Sequence, residues 1–414
     1  MRCYLLTVYL LLCFISYGQE EVDNARKHII QLTSKKYSGR GYVKHGDQKA
    51  ANYIANYFRK NNVKAFGNDY FQPFEFPVNT FPGKTAISID KHPLVPGVDY
   101  IFHHASTSIK ETYALEPFVS LDQLRTEVSS KIICIDITSQ NDSVKKYINE
   151  LINASDFSCG GLVILNDKLT WSVATKQIRK PVIYILKNKF IKGKKITIEL
   201  QTCLIEKHKS NNVIGYIEGS QSKDSFIVIT AHYDHLGMMG KKAIFPGAND
   251  NASGVSMLLS LIDYYILHKP EYSIVFIAFA GEEAGLLGSR FYTLNPVFPL
   301  KQIKFLINLD LMGTGDEGIM VVNATEYPKA FDLLEKNNEQ KKLLSAIKKR
   351  GKAANSDHYW FSESGVPSFF IYTLGGIKAY HDVDDVAATL PLTEFEDIRR
   401  LLIDFISEVT HATY

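Results

Sequence analysis

Histidine and acidic residues occur in five short segments whose residue types suit metal binding. The segments are Ala231–His235, Gly247–Gly254, Gly281–Glu283, Asp310 and Tyr380–Asp385. Gathered carboxylates repel one another, so they need cations between them. A mixture of imidazole and carboxylate ligands suits zinc best among the common metals. If the fold brings these segments together, their chemistry is that of a zinc site.

The formal charge of the candidate ligands indicates how many metal ions they would balance. The candidates are His232, Asp250, Glu283, Asp310 and His381, which carry three negative charges and two neutral rings. One divalent ion would leave a net charge of −1, and two would leave +1, which a bridging hydroxide neutralises. With one Asp shared, each metal has three protein ligands and a shared water, which is the open coordination of catalytic zinc. The expected cofactor is therefore two Zn²⁺ ions per chain.

Three of the segments come directly after apolar runs that are typical of buried strands. These runs are residues 226–230, 273–280 and 303–309. In open α/β sheets, ligands gather outside the carboxyl ends of the strands. The acidic and histidine residues that follow the three runs are therefore predicted to converge on one pocket.

The order of the predicted elements indicates the fold class. From residue 211 onward, strand-like and helix-like patterns alternate, which favours a mostly parallel sheet flanked by helices. We expect an α/β fold with a mixed, mostly parallel central sheet and helices on both faces. The predicted helices are 22–34, 47–62, 254–268, 284–293, 327–336, 343–349 and 392–410, and the further predicted strands are 69–80, 318–322 and 367–373.

Residues 85–203 have a different pattern of predicted secondary structure from the rest of the chain. They contain short β-rich runs, such as 131–136 and 161–165, with few helical patterns between them. We interpret them as a smaller β-rich lobe that is inserted into a domain formed by residues 19–84 and 204–414. The sequence does not show what this lobe does.

The first eighteen residues have the layout of a secretory signal peptide. Arg2 is followed by an apolar stretch, Tyr4–Ile15, and by small residues before a cleavage point after Gly18. The stretch is shorter than the ~20 residues that span a bilayer, and no second stretch is long enough. The expectation is export to the periplasm or the extracellular space, with no membrane span. Three cysteines remain after residue 18, Cys134, Cys159 and Cys203, and the sequence does not fix their pairing.

The composition excludes a disordered chain, a fibrous repeat protein and a polytopic membrane protein. The chain has 414 residues, of which 45% are hydrophobic and 22% charged, which is the balance of a soluble globular protein with two lobes. The net charge is only +3 and no long basic run is present, so a nucleic-acid partner is not expected. The sequence also lacks the Gly-x-Ser-x-Gly motif of serine hydrolases and the His-Glu-x-x-His motif of one class of zinc enzymes.

Taken together, five motifs resemble those of the zinc-dependent aminopeptidase family M28. They are AHYDHLG (231–237), GANDNASG (247–254), FAGEEAG (279–285), NLD (308–310) and YH (380–381). The resemblance is loose over residues 22–80 and good over 205–410. The β-rich lobe is weakly similar to a protease-associated domain.

The resemblance implies a role for each candidate residue. His232 and Asp310 bind one zinc ion, Glu283 and His381 bind the other, and Asp250 bridges them. Metal-assisted hydrolysis of peptides with a free N-terminus is the implied activity.

Further features follow from the same resemblance. Glu282 is the general base that takes a proton from the attacking water, and Asp234 orients the first histidine ligand. The peptide bond between Asp250 and Asn251 is expected to be cis. Asp385 supports the site or caps a helix, and His358 is more readily a wall of the pocket or a structural residue than a catalytic one.

Three other functions are compatible with the motifs. One is a glutaminyl cyclotransferase of the same fold, which holds fewer metals. A second is a carboxypeptidase-type or dipeptidase-type relative, and a third is a non-catalytic, receptor-like binding protein. The preferred N-terminal residue and the oligomeric state are not readable from the sequence.

Overall fold

The computed structural model describes residues 20–411. The signal peptide predicted for residues 1–18 lies outside this range. Between residues 20 and 411, no helix combines the length and the apolar character needed to cross a bilayer.

The described chain contains eighteen strands and nine α-helices. The strands are β1 (Phe71–Thr80), β2 (Thr85–Ile89), β3 (His92–Leu94), β4 (Tyr100–Phe102), β5 (Ile109–Pro117), β6 (Lys131–Asp136), β7 (Gly161–Asn166), β8 (Val182–Leu186), β9 (Lys195–Leu200), β10 (Cys203–Ile217), β11 (Ser222–His232), β12 (Gly237–Met239), β13 (Ala243–Phe245), β14 (Tyr272–Phe279), β15 (Ile303–Asp310), β16 (Ile319–Val322), β17 (Ile347–Arg350) and β18 (Ser368–Thr373). The helices are α1 (20–33), α2 (Gly46–Lys60), α3 (Gln123–Thr126), α4 (Asp142–Ala154), α5 (Gly254–Leu267), α6 (Leu287–Leu294), α7 (Pro328–Lys341), α8 (His358–Glu363) and α9 (Phe395–Val409).

The larger sheet has eight strands in the order β1-β10-β14-β11-β15-β18-β16-β17. Its four central strands, β14, β11, β15 and β18, are parallel to one another. Antiparallel pairs flank them, since β10 is antiparallel to β14 and β16 is antiparallel to β18. Because the parallel strands are covered on both sides, their sequences are almost continuously apolar.

Helices pack on both faces of this sheet. Ile227 and Ile229 of β11 belong to one core, which α2, α5, α7 and α9 cover. Phe226 and Val228 of the same strand point to the other face and belong to a second core, which includes Tyr292 of α6 and Phe361 of α8. The predicted α/β fold class is therefore confirmed.

The segment 343–349 was expected to be helical, and this expectation is wrong. Residues Ile347–Arg350 form β17, which pairs in parallel with β16 at the edge of the sheet. Lys342 adopts a left-handed conformation (φ 52°), which ends α7 before the segment begins. The unpaired edge of β16 then offers hydrogen bonds that an isolated helical turn would not gain.

A second sheet of eight strands, β3-β2-β9-β5-β6-β7-β8-β4, forms a β-rich lobe. All of its strands lie in the chain between β1 and β10, which pair with each other in the larger sheet, with Thr80 opposite Cys203. The presence of a β-rich lobe is thus confirmed. It also contains a helix that the sequence reading did not identify, α4, which buries Ile148, Leu151 and Ile152 against the lobe.

The three cysteines of the described chain are all free. Cys159 is buried, Cys134 is half-buried and Cys203 is exposed. No disulfide therefore links any two of them.

Candidate metal centre

Three adjacent strands carry the first group of candidate residues to one edge of the sheet. His232 is the last residue of β11, and Asp310 is the last residue of β15. Glu282 and Glu283 follow β14 after Ala280 and Gly281, and the φ of 68° at Gly281 turns the chain beyond the strand end. Because β14, β11 and β15 are neighbours and parallel, their carboxyl ends meet at the same place.

Asp250 reaches this place from the turn that precedes α5. The turn spans Ala248–Ser253, and its Asp250–Asn251 peptide bond is cis, as the resemblance implied. Asp385 accepts hydrogen bonds from the backbone N–H groups of Asn249 (2.8 Å) and Asp250 (3.1 Å). Asp385 thus supports the first N–H groups of the Asp250 turn, a position that fits both a supporting and a capping role.

A buried arginine also holds the Asp250 turn, and sequence reasoning did not identify it. The Arg40 guanidinium is fully buried and donates to four backbone carbonyls, those of Tyr233, Pro246, Gly247 and Asp250, at 2.7–3.0 Å. These carbonyls belong to the segments after β11 and after β13. Arg40 therefore fixes two of the ligand-bearing segments against each other.

Asp250 lies between two histidines. Its Oδ1 is 3.3 Å from His232 Nε2, and its Oδ2 is 2.9 Å from His381 Nε2. His232 Nε2 is also 3.5 Å from Asp310 Oδ2, and His381 Nε2 is 3.4 Å from Glu283 Oε2. The five candidate ligands thus converge, with Asp250 in the central position.

The charges around these histidines favour a cation. Burial alone would lower the pKa of His381, yet Glu283 and Asp250 raise it to about 9. The same competition raises the pKa of His232 well above its usual value, with Glu282 and Asp310 as the main opposing charges. One carboxylate oxygen, Asp310 Oδ1, is buried and has no hydrogen-bond partner. A divalent metal ion would satisfy this excess of negative charge, so the donor set fits the zinc ions implied by the resemblance.

His235 is a further histidine of the site for which the sequence analysis gave no role. Its ring is completely buried, and its Nδ1 lies 2.7 Å from Glu283 Oε1. The donor atoms of His235, Asp250 and Glu283 form a set within 4.8 Å of one another, as do those of His232, Asp250 and Asp310. His235 contacts Glu283 but does not line the cavity, whereas His381 and Glu283 both line it. A catalytic metal needs a position open to substrate, which favours His381 over His235 as the ligand.

Asp234 acts on the two glutamates as well as on the histidine. Its carboxylate accepts hydrogen bonds from the backbone N–H groups of Glu282 (3.2 Å) and Glu283 (3.4 Å) and from the hydroxyl of Tyr42 (2.8 Å). His232 Nδ1 lies 3.1 Å from the backbone carbonyl O of Asp234 but 3.8 Å from its Oδ1. Burial raises the pKa of Asp234 to about 6. The expected orientation of His232 thus comes mainly from the backbone of Asp234, while its carboxylate holds the turn after β14.

Glu282 faces the cavity without occupying the centre of the ligand cluster. Its Oε2 is 3.9 Å from His232 Nε2, and its side chain keeps 14% of its surface exposed. Burial raises the pKa of this carboxyl well above its usual value, against the opposing effect of His232. The carboxylate of Glu282 thus lines the cavity beside the candidate ligands.

The ligand cluster lies at the bottom of a cavity of about 320 Å³. Besides the charged residues, its walls are formed by Gly285, Leu311, Asn355, Phe370, Tyr372 and Tyr380. His358 is fully buried, and its ring lies 5.2 Å from that of Phe370. It is not a wall of this cavity, which agrees with a structural role behind the wall.

Residues 212–406 match the sequence profile of Peptidase family M28. This segment contains all seven residues predicted for the site. The part of the chain that matches this family is just under half of its 414 residues. The predicted resemblance is therefore confirmed.

Curated proteins with similar sequences carry related descriptions. A probable zinc metalloprotease of Pyricularia oryzae is 36% identical over 114 residues, which are 27% of this chain and 23% of that protein. Aminopeptidase YwaD of Bacillus subtilis is 29% identical over 234 residues, which are 54% of this chain and 50% of that protein. The matched part of the chain thus spans half or less of the length of these relatives.

Solved structures support the fold over nearly the whole chain. The zinc aminopeptidase BSAP from Bacillus subtilis has a TM-score of 0.70 at 21% identity, with 93% of this chain and 94% of that chain covered. The M28 peptidase precursor from Shewanella amazonensis has a TM-score of 0.72 at 17% identity, with 96% and 97% covered. These likenesses cover nearly the whole chain and support its overall fold.

Proposed function

We propose that this protein is a zinc-dependent aminopeptidase that holds two Zn²⁺ ions and removes N-terminal residues from peptides. The observation that carries the proposal is the position of Asp250, whose two carboxylate oxygens face the Nε2 atoms of His232 and His381 at 3.3 and 2.9 Å. A single carboxylate between two imidazoles suits a bridge between two metal ions. Asp310 would complete the first ion's ligands and Glu283 those of the second.

When bound, such a zinc pair polarises the scissile carbonyl and lowers the pKa of a bound water. Glu282 accepts the proton of the attacking water and returns it to the leaving amine, since its carboxylate faces the cavity next to the ligands. The Asp234 carboxylate keeps Glu282 in place by accepting a hydrogen bond from the Glu282 backbone N–H. The acidic groups at the bottom of the cavity attract the free α-amino group of the substrate, which makes the enzyme an exopeptidase.

We further propose that the peptidase domain is made of residues 19–84 and 204–414 and that residues 85–203 are the inserted, protease-associated-like domain. Export through residues 1–18 stays a prediction. The mass of the mature protein isolated from the producing cell would test it, because cleavage after Gly18 defines a unique N-terminus.

The proposed function is tested by measuring metal content and activity together. Elemental analysis of the purified chain should give two zinc ions, and a panel of aminoacyl substrates should be hydrolysed until a chelator is added. Acetylating the substrate N-terminus should abolish hydrolysis.

Other outcomes would select the alternative functions. Hydrolysis of the blocked peptides would indicate a carboxypeptidase-type enzyme, and strict use of dipeptides a dipeptidase. One zinc ion with cyclisation of N-terminal glutamine would indicate a cyclotransferase. Failure to bind zinc would indicate a binding protein.

A further inference from the structure

His381 is held by a residue of the β-rich lobe. Trp171, between β7 and β8, donates its backbone N–H to the carbonyl O of His381 (2.9 Å). In return, the carbonyl O of Trp171 lies 3.0 Å from Nδ1 of the His381 ring. We propose that the lobe helps to form the metal centre. Its Trp171 is the positioning residue that orients the ring of His381. The inference rests on the metal role of His381 stated under Proposed function.

The contact with Trp171 determines which ring nitrogen of His381 is free to bind a metal. A carbonyl oxygen has no proton to give, so Nδ1 must be the donor in this hydrogen bond. In the neutral ring, Nε2 then carries the lone pair, and it faces Asp250 Oδ2 at 2.9 Å. A hydrogen bond of this kind fixes both the tautomer and the orientation of a ligating imidazole.

The two candidate histidine ligands obtain this support from different sources. Nδ1 of His232 contacts the carbonyl O of Asp234, only two residues away in the chain. His381 and Trp171 are 210 residues apart, and Trp171 belongs to the lobe. The orientation of His232 is therefore local, whereas that of His381 depends on how the lobe is seated.

Trp171 is itself fixed by both parts of the molecule. Its Nε1 donates to the carbonyl O of Phe102 in β4 of the lobe (2.9 Å). Its ring stacks on Phe245 of β13, with centroids 4.6 Å apart, and contacts the edge of Phe81 at 5.3 Å. The side chain thus holds the Trp171 backbone at the height of the His381 ring.

Three more contacts attach the His381 loop to the lobe. Lys168 Nζ donates to the carbonyl O of Lys378 (2.8 Å) and lies 3.3 Å from Asp382 Oδ2. Val383 packs against the core of the lobe. The loop is therefore attached to the lobe on both sides of its ligand, which is more than one chance contact would provide.

The inference predicts that damage to the Trp171 contact affects the two metal positions unequally. The position formed by His232 and Asp310 should keep its affinity, because both side chains come from strands of the larger sheet. The position formed by Glu283 and His381 should bind zinc about 10–100-fold more weakly, which is the usual effect of losing a hydrogen-bond partner behind a metal ligand.

The experiment uses the full-length chain with the substitutions Trp171→Ala and Trp171→Phe. Ile198→Ala is the matched control, because Ile198 is fully buried in the same core of the lobe and is not part of the His381 contact. Zinc affinity is measured by competition with a chromophoric chelator, and the midpoint of thermal unfolding is measured on the metal-free proteins. Trp171→Ala should weaken one zinc ion selectively. Trp171→Phe, which keeps a ring but loses the Nε1 donor, should do so to a smaller extent. Ile198→Ala should lower the unfolding midpoint and leave both zinc affinities unchanged.

Two results would overturn the inference. One is wild-type affinity for both zinc ions in the folded Trp171 variants, and the other is an equal loss in Ile198→Ala. His381→Ala separates this failure from failure of the proposed function. If His381→Ala loses one zinc ion and the Trp171 variants lose none, only the role of Trp171 is wrong. If His381→Ala keeps both ions, the ligand assignment itself is wrong. If Trp171→Ala does not fold, Trp171→Phe alone decides. Its loss of zinc affinity must then be larger than the loss in Ile198→Ala.

Discussion

Glu282 is the residue at which proton transfer can be separated from metal binding. It lies 3.9 Å from His232 Nε2, while the tighter contacts in the cluster are made by other carboxylates. Replacing it by glutamine removes the proton acceptor and keeps the shape of the side chain. We expect Glu282→Gln to lower kcat by about 10²–10⁴-fold and to leave two zinc ions bound.

The measurement for Glu282 is steady-state hydrolysis together with elemental analysis of the same sample. Glu363→Gln is the control, because Glu363 pairs with Lys352 on the surface. Normal turnover in Glu282→Gln would show that another group takes the proton. Loss of zinc would show that Glu282 is itself a ligand.

Arg40 is a single residue that should contribute strongly to the free energy of unfolding. Three of its four hydrogen bonds to carbonyls are buried and that to Pro246 is half-buried, and all four carbonyls would lose a donor if the guanidinium were removed. An unsatisfied buried carbonyl costs about 1–3 kcal/mol, so Arg40→Met should lower the free energy of unfolding by at least about 3 kcal/mol. Urea titration of the metal-free protein measures this difference.

Arg59→Met provides the comparison for Arg40, because Arg59 is exposed and donates a surface hydrogen bond to Asn56 in α2, besides lying 5.7 Å from the centre of the Tyr70 ring. We expect it to change the free energy of unfolding by less than about 0.5 kcal/mol. Similar effects of the two substitutions would mean that the Arg40 hydrogen bonds contribute little net stability.

The site residues that could be predicted from the sequence differ physically from those that could not. The former act through side chains in motifs, and the latter act through backbone groups. Residues such as Asp250 and Glu283 stand in motifs whose side chains carry the chemistry, so residue type was informative. Arg40 and Trp171 act through backbone carbonyls of distant segments, and a backbone carbonyl has no sequence signature. Their partners lie about 200 residues away, so only the folded chain shows the contact.

At the scale of elements, the central strands were predictable because they are apolar and buried on both faces. The edge strand β17 was not predictable, because it has the sequence Ile-Lys-Lys-Arg and is mostly exposed. Such an edge strand is determined by the free hydrogen-bonding groups of its neighbour, β16, and not by its own side chains. Helix α6 begins at Leu287, three residues later than predicted, because Leu286 is left-handed (φ 59°) in the turn that carries Glu282 and Glu283.

The start of α5 contains a glycine that the helix itself does not require. Gly254 has ordinary helical angles, and alanine is favoured in helices by up to about 1 kcal/mol. However, a Cβ at this position would lie 2.1 Å from Asn251 Oδ1 and 2.7 Å from the backbone O of Leu309. Gly254→Ala should therefore lower the free energy of unfolding by about 1–3 kcal/mol, because β15 cannot move away.

Chemical denaturation of the metal-free protein tests this effect of Gly254. Gly67→Ala is the control, since a Cβ there would meet no heavy atom within 4 Å. A gain of stability in Gly254→Ala would mean that the Asp250 turn adapts more easily than the close approach indicates.

At the scale of the whole molecule, the insertion explains why the lobe contacts the site. Strands β1 and β10 pair directly at Thr80 and Cys203, so the chain leaves and re-enters the larger sheet at one place. The lobe then extends from there toward the His381 loop, where Trp171 meets it. The sequence indicated an inserted lobe from its pattern of predicted secondary structure, but the contact between lobe and site depends on tertiary packing.

Stability should fall as the pH is lowered, because several histidines are buried in neutral form. Burial lowers the pKa of His103 to about 3 and that of His104 to about 4, and His28 and His358 also titrate at about 4. In the unfolded chain these groups titrate near ~6.5. The folded state thus binds fewer protons between these values, so the stabilising contribution is complete above about pH 6.5 and is lost as the pH falls toward 4. Buried carboxyls with a raised pKa, such as Asp357 at about 7, act in the opposite direction.

A variant in the lobe isolates the histidine effect from that of the carboxyls. His103 and His104 stack on each other at 4.1 Å, and glutamine can still accept the hydrogen bond that Ala105 donates to His103 Nδ1. We expect the double variant His103→Gln/His104→Gln to have a smaller decrease of the urea midpoint between pH 7 and pH 5 than the parent. His92→Gln, at an exposed position of β3, should keep the parental pH dependence. An unchanged pH dependence in the double variant would mean that the folded lobe opens enough to protonate this pair without loss of structure.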